Sequence, residues 1–307
     1  MKKIVKTDKY MKPVILIKQS ESELLTNSSL MLIKGEVGSG KSRLAMNLMV
    51  GLLTGKEDLH LEYTICPKDK YILYISTEMS KYHLQRRLLK VLEQVPEELH
   101  ERLIFLDSVE DTVEQKLPEL TKAVKEYPPH VIIIDQLADF VTNINDIEQA
   151  NNIITKLMNG IEKTDCAIIA IVHQNEDSGL DSKARGHLGS VFEQKVVSSI
   201  AISDNRKGFT IKSTKIREGK QLALKAEFNE KTEMLKLKSE VEVNLSELTY
   251  PITREDLIEY LNKQFECAKS TSATHIAKYL EEGILTSFKD GKFTKYNLSK
   301  YKEVVAV

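Results

Sequence analysis

The sequence predicts an α/β protein: a mostly parallel sheet with helices on both faces, an antiparallel extension, and a small module at the C-terminal end. Three observations carry this. Continuously apolar runs (Met31–Ile33, Tyr71–Ile75, Val131–Ile134, Ala167–Val172) alternate with amphipathic helical stretches, as expected of strands buried on both faces of a parallel sheet. After about Thr210 the runs alternate in polarity and are broken by Glu218-Gly219 and Asn229-Glu230, which marks antiparallel strands. From Pro251 onward helical patterns return and end in a hairpin signal. The 307 residues suit one large domain and one small one, and 41% hydrophobic with 29% charged residues excludes a fibrous or disordered chain.

The expected organisation is an N-terminal segment over 1–29, a large domain over 30–245 and a C-terminal module over 250–307. The helix Lys41–Leu53 places Leu44, Leu48, Met49 and Leu52 on one face. Lys81–Gln94 carries Leu84, Leu88 and Leu92 at four-residue spacing, with Ser80 as the expected N-cap. Ile147–Ile161 repeats the pattern with Ala150, Ile154, Leu157, Met158 and Ile161. Glu176–Ser190 lacks apolar periodicity and is expected to be a long loop, which inside a compact domain signals function or mobility. Strands Val196–Ile202, Phe209–Lys215, Leu222–Phe228 and Glu233–Leu237 follow. Helices Arg254–Phe265 and Ser272–Glu281, then Ile284–Phe288 and Phe293–Leu298 around Asp290-Gly291, resemble a winged-helix module.

Composition narrows the setting. The longest apolar stretches fall well short of the roughly 18–20 residues of a membrane span. The start, Met1-Lys2-Lys3-Ile4, shows no apolar signal core, and Cys66, Cys166 and Cys267 form neither a disulfide framework nor a zinc pattern. A cytoplasmic location is the expectation. The net charge of -1 means that any contact with nucleic acid has to come from a local cluster of cations.

Gly35-Glu36-Val37-Gly38-Ser39-Gly40-Lys41-Ser42 satisfies the phosphate-loop pattern G-x-x-x-x-G-K-[ST]. A loop that wraps backbone N–H groups around phosphates needs glycine where the chain approaches closely or turns with positive φ. The next helix, beginning Lys41-Ser42-Arg43, offers unpaired N–H groups and a positive dipole end. Lys41 is the candidate for the β/γ-phosphates and Ser42 for Mg²⁺. Val131–Asp135 is an apolar strand ending in a carboxylate, which places Asp135 at the ligand edge as a second contributor to the Mg²⁺ shell. A nucleoside triphosphate, with ATP first, is the ligand these motifs imply.

Gln136 follows Asp135, so a water-activating carboxylate must come from elsewhere. Ile75-Ser76-Thr77-Glu78-Met79-Ser80, followed by Leu84-Gln85-Arg86-Arg87-Leu88, offers Glu78. With these residues in this order the chain resembles the RecA-like ATPases, and within them the RepA- and DnaB-type hexameric replicative helicases. The resemblance covers about Leu30–Phe228. It implies a RecA-like core, Glu78 as catalytic base, and His173 at the end of Ala167–Val172 as a polar sensor of the γ-phosphate. It also implies single-stranded DNA contact through Lys183, Arg185 and His187, although Asp177 and Asp181 dilute that charge.

Lys215-Ile216-Arg217-Glu218-Gly219 resembles the Lys-x-Arg-x-Gly segment that DnaB-type helicases insert into a neighbour's active site. This implies Lys215 and Arg217 as catalytic cations acting in trans, with Arg206 as a fallback. A homo-oligomer, with a hexameric ring first, is the corresponding assembly. The short stretch ahead of the first strand and an insertion around Glu57–Lys70 bring the chain closer to the RepA type. A DNA helicase-like motor is thus the leading expectation. A recombination or annealing accessory ATPase, and a KaiC-type signalling ATPase without DNA, remain as alternatives. Between Pro251 and Lys302 cations exceed acids by only two, while Lys289, Lys292 and Lys295 gather on the hairpin. Its partner stays open between DNA and protein.

Overall fold

The computed structural model describes residues 12–175, 179–205 and 208–238, and in the C-terminal stretch 242–243, 245, 248–265, 276–277, 279–280, 284–298 and 305–306. The chain divides into two compact units, Met1–Lys238 and Ser239–Val307.

In the first unit the strands are β1 (Ile15–Gln19), β2 (Ser22–Thr26), β3 (Leu30–Gly35), β4 (Glu62–Tyr63), β5 (Tyr71–Ser76), β6 (Leu103–Asp107), β7 (Pro129–Asp135), β8 (Ala167–His173), β9 (Ser198–Asp204), β10 (Phe209–Ile216), β11 (Ala223–Asn229) and β12 (Met234–Leu237). The α-helices are α1 (Lys41–Thr54), α2 (Lys81–Leu92), α3 (Val113–Glu126), α4 (Ile147–Thr164) and α5 (Gly186–Lys195). The main sheet has nine strands in the order β12-β11-β10-β9-β3-β8-β7-β5-β6. It is parallel from β9 to β6 and antiparallel from β9 through β12. The α/β expectation and its antiparallel extension are therefore met.

Two apolar layers cover the sheet. Met31 and Ile33 of β3 face the layer that holds Leu44, Leu48 and Leu52 of α1. Leu30 and Leu32 face the opposite layer with Ile154 and Leu157 of α4 and Leu188 and Phe192 of α5. Strict alternation along a strand buried on both sides produces this split.

Several features depart from the sequence reading. The stretch ahead of β3 is a hairpin, β1–β2, which β4 joins to form a separate three-stranded sheet. Leu16, Leu24 and Leu25 bury it in the α1 layer. The insertion around Glu57–Lys70 thus supplies an edge strand: Tyr63 pairs with Ile17 and its ring closes over Gly51 of α1. Strand β6 and helix α3 were not anticipated. The loop expected over Glu176–Ser190 is shorter, because α5 starts at Gly186. Leu188 and Phe192 anchor that helix, and Gly189 lets it close onto the Ala184 backbone, where a Cβ would meet the carbonyl carbon at 2.6 Å. Ser80 precedes α2, but its side chain makes no cap bond; its hydroxyl engages His83 Nδ1 at 2.9 Å instead.

In the second unit β14 (Ile252–Thr253), β16 (Phe293–Leu298) and β15 (Leu285–Asp290) form an antiparallel sheet, with α6 (Arg254–Phe265) beside it; short strands β13 (Glu242–Val243) and β17 (Val305–Ala306) also pair. Leu257, Ile258, Leu261, Ile276, Tyr279, Leu285 and Tyr296 form its core. The expected second helix, Ser272–Glu281, falls mostly outside the described residues, and the winged-helix expectation stays a proposal.

Candidate functional site

Strand β3 lies between β8 and β9. From β3 the chain crosses through α1 past β8 and β7 to β5, whereas from β8 it crosses through α5 to β9, on the other side. The order reverses at β3/β8, and ligands of open parallel sheets bind beyond the carboxyl ends of the strands at such a point. Residues 35–42 occupy that place.

The phosphate loop has the required backbone. Gly38 and Gly40 adopt φ of 76° and 92°, conformations that favour glycine. A Cβ on Gly35 would collide with the Ile202 carbonyl, and one on Gly40 would meet the Phe209 ring at 2.8 Å. Lys41 Nζ donates to the carbonyls of Gly35 at 3.0 Å and Glu36 at 2.6 Å, and lies 3.2 Å from His173 Nδ1. Burial lowers the Lys41 ammonium to about 8, and the nearby Asp135, Glu78 and Glu36 carboxylates only partly offset this. Ser39 is buried and its hydroxyl has no partner. A cleft of about 640 Å³ opens beside Glu36–Ser39, walled by Gln174, Gly179, Leu180 and Ile202–Asp204. Arg43 stacks its guanidinium 4.3 Å above the Phe228 ring and lies 5.9 Å from the Phe209 ring that packs against Gly40.

Three parallel strands bring the chemistry-bearing side chains together. His173, at the end of β8, places Nε2 3.1 Å from Glu78 Oε1, just beyond β5. The hydrogen bond from His173 is the largest influence holding the Glu78 carboxyl below the usual carboxylate range; burial opposes it, while Lys41 and a bond from the Gln136 side chain assist. Lys41, His173 and Glu78 thus form one continuous polar chain across the ligand edge.

Asp135 ends β7 between them and is buried. Its Oδ2 accepts from Tyr74 Oη and, at 3.4 Å, from Arg87 of α2, which also donates to Tyr74 Oη at 2.9 Å. Thr77 fixes the turn before Glu78: its N–H donates to the Asp135 carbonyl at 2.9 Å, and its hydroxyl to Asp139 Oδ2 at 2.6 Å. Sequence reasoning missed Tyr74 and Arg87. Their signal was faint, a tyrosine inside an apolar strand and an arginine one turn from the exposed face.

The residues present fit a magnesium nucleotide. The orphaned Ser39 hydroxyl, the glycine cradle and a lysine bonded only to loop carbonyls and a histidine all suit incoming phosphate oxygens. Ser42 and Asp135 are hard oxygen donors of the type Mg²⁺ takes. Among the described residues no cluster of three or more His, Cys, Asp or Glu is arranged to hold a metal by itself.

Of the remaining predicted residues, Lys215 and Arg217 lie away from this edge. Lys183, Arg185 and His187 are exposed, and Arg185 donates its backbone N–H to the His173 carbonyl at 3.0 Å. Asp181 pairs with Lys212 at 2.8 Å. Lys215 donates to the carbonyls of Glu193 at 2.6 Å and Gln194 at 3.0 Å, and Arg217 to those of Gln194, Lys195 and Val196, so both cap the end of α5. Arg217 is level with Leu30 through Val197. Gly35 lies further on by roughly 16 Å along the strands at ~3.3 Å per residue. Neither cation serves its own phosphate loop. Arg206 and Asp177 lie outside the described residues.

A family profile described as an AAA domain matches residues 17–179, just over half of the chain. No curated protein matches the chain. No helix among the described residues is long and apolar enough to cross a membrane.

Proposed function

The chain belongs to the AAA domain family of P-loop ATPases, and from that premise we propose that it is an ATP-hydrolysing, helicase-like motor of the RepA/DnaB type acting on single-stranded DNA as a ring of identical chains. The carrying observation is the Lys41–His173–Glu78 chain across three parallel strand ends. It supports reading Lys41 as the phosphate-binding ammonium, His173 as a polar reporter and Glu78 as the base.

In this reading the loop N–H groups and Lys41 hold the β- and γ-phosphates, which draws Lys41 Nζ off the Gly35 and Glu36 carbonyls. Glu78, hydrogen-bonded by His173, orients the attacking water and accepts its proton. Mg²⁺, when bound with the nucleotide, supplies charge neutralisation at the phosphate oxygens. Tyr74 and Arg87 hold the Asp135 carboxylate in one orientation. Loss of the γ-phosphate frees Lys41 to return to the loop, and His173, sharing contacts with Lys41 and with Arg185 through its carbonyl, passes that change to 179–185. Lys215 and Arg217, remote from their own phosphate loop, are assigned to the neighbouring chain's transition state, where such a cation contributes about 10³–10⁵ in rate. The domain bounds 30–245 and 250–307 and the winged-helix character of the second unit belong to the same reading.

ATP turnover of the wild type and of Glu78→Gln, each with and without single-stranded DNA, tests this. Stimulation by DNA in the wild type and near-total loss in Glu78→Gln is the expected outcome. Near-wild-type turnover in Glu78→Gln refutes the base assignment, and turnover indifferent to DNA refutes the motor.

A further inference from the structure

The second unit carries a surface that the ATPase reading does not use. In the β15–β16 hairpin Leu285 pairs with Leu298, Ser287 with Tyr296 and Lys289 with Thr294. Leu285 and Tyr296 are buried in the core of the unit, so this face points inward. Alternation puts Thr286, Phe288 and Asp290, with their partners Asn297, Lys295 and Phe293, on the opposite, outward face. That face should be polar. Instead it presents two phenylalanines, 40% and 69% exposed at Phe288 and Phe293. They are diagonal neighbours across the hairpin, which sets their Cβ atoms roughly 7–8 Å apart.

Cations surround them. The hairpin 285–298 contains Lys289, Lys292 and Lys295 against the single acid Asp290, in a chain whose net charge is -1. Lys295, on this face, pairs with Asp290 at 2.6 Å, whereas Lys289 stands on the other face, where its Nζ donates to the Thr294 hydroxyl at 3.0 Å. Lys292 stands in the turn at the tip. Exposed aromatic rings at this spacing offer flat faces for unpaired bases, and lysines at the margin suit a phosphate backbone. A duplex keeps its bases stacked internally and cannot use the rings.

We propose that the outward face of the β15–β16 hairpin is a stacking platform for single-stranded nucleic acid, with Phe288 and Phe293 each taking a base and Lys292, in the turn at its margin, contacting a phosphate. The platform stands on the second unit alone and does not depend on the motor reading of the first.

The test uses the full chain without nucleotide and a fluorescein-labelled oligo-dT, followed by anisotropy. Phe288→Ala/Phe293→Ala is expected to weaken binding at least tenfold, since each stacked base is typically worth a several-fold factor or more, while its melting temperature and DNA-free ATP turnover stay at the wild-type level. Lys292→Gln is expected to flatten the slope of log Kd against log salt by about 0.7, the increment of one phosphate contact on a single strand. Affinity within twofold of wild type in the phenylalanine variant overturns the platform, as does an equal loss on a duplex of the same length. A parallel Lys183→Ala/Arg185→Ala variant separates the two readings. If it alone abolishes binding, the platform falls and the loop assignment stands; if only the phenylalanine variant loses affinity, the platform stands and the loop assignment falls.

Discussion

Lys34, the residue before the phosphate loop, carries one of the least accessible charges in the chain. It is 1% exposed on the α5 side of β3, and its Nζ donates to Glu193 Oε1 at 2.6 Å and to the Ser182 carbonyl at 2.8 Å. Glu193 also accepts from Ser199, at 3.3 Å, and the Ser199 hydroxyl accepts from Thr214 at 3.1 Å. Replacing Lys34 by Met keeps the length of the side chain but strands the Glu193 carboxylate. Breaking a buried pair in this way costs about 3–5 kcal/mol. At ~2–4 °C per kcal/mol for a domain near this size, the midpoint should drop by roughly 6–20 °C. Lys34→Met/Glu193→Met removes both charges and should recover most of that loss, because a desolvated pair and an apolar replacement are often close in energy. Thermal unfolding without nucleotide at one fixed protein concentration reads both effects. A Lys34→Met midpoint within about 3 °C of wild type, below the range worked from those slopes, defeats this reasoning. So does a double variant whose loss equals the sum of the two single losses.

Other expectations follow from the site. Lys41 titrates near 8 when folded against 10.5 when unfolded. The unfolded chain therefore holds an extra proton between those values, so Lys41's contribution to stability rises with pH across this window and is least favourable below it. Nucleotide binding needs the ammonium, and affinity should fall about tenfold per pH unit above 8 with uptake of one proton, measurable by titration calorimetry in buffers of different ionisation enthalpy. His173→Ala removes the main influence lowering the Glu78 pKa, so the acidic limb of the kcat/KM profile should move to higher pH; an unmoved limb separates His173 from Glu78. Mixing Arg217→Ala with Glu78→Gln chains should restore part of the turnover that each lacks alone, and no recovery at any ratio excludes a shared site.

Much of this was readable from residue patterns. Four unbroken apolar runs became adjacent parallel strands because strands covered on both faces need no polar alternation. The phosphate loop was legible because its glycines are dictated by backbone geometry rather than by packing. The β1–β2 hairpin was missed because Ile15–Thr26 mixes Lys18, Gln19, Ser20, Glu21 and Glu23 with its apolar residues, and only pairing with β4 reveals which ones face inward. Helix α5 was missed because Gly186 and Gly189 argue against a helix locally, while close approach to Ala184 and burial of Phe192 outweigh propensity. The Tyr74–Arg87–Asp135 cluster joins three elements distant in sequence, so no local pattern encodes it.

The antiparallel extension has one more consequence. By folding back from the ligand edge, β10 delivers Lys215 and Arg217 to the rim opposite the phosphate loop that the same chain owns. Under the proposed roles, a solitary molecule is half an enzyme, equipped to complete another's chemistry but not its own. Specific activity should then climb with protein concentration until assembly saturates, and simple dilution would act as an off-switch that needs no inhibitor.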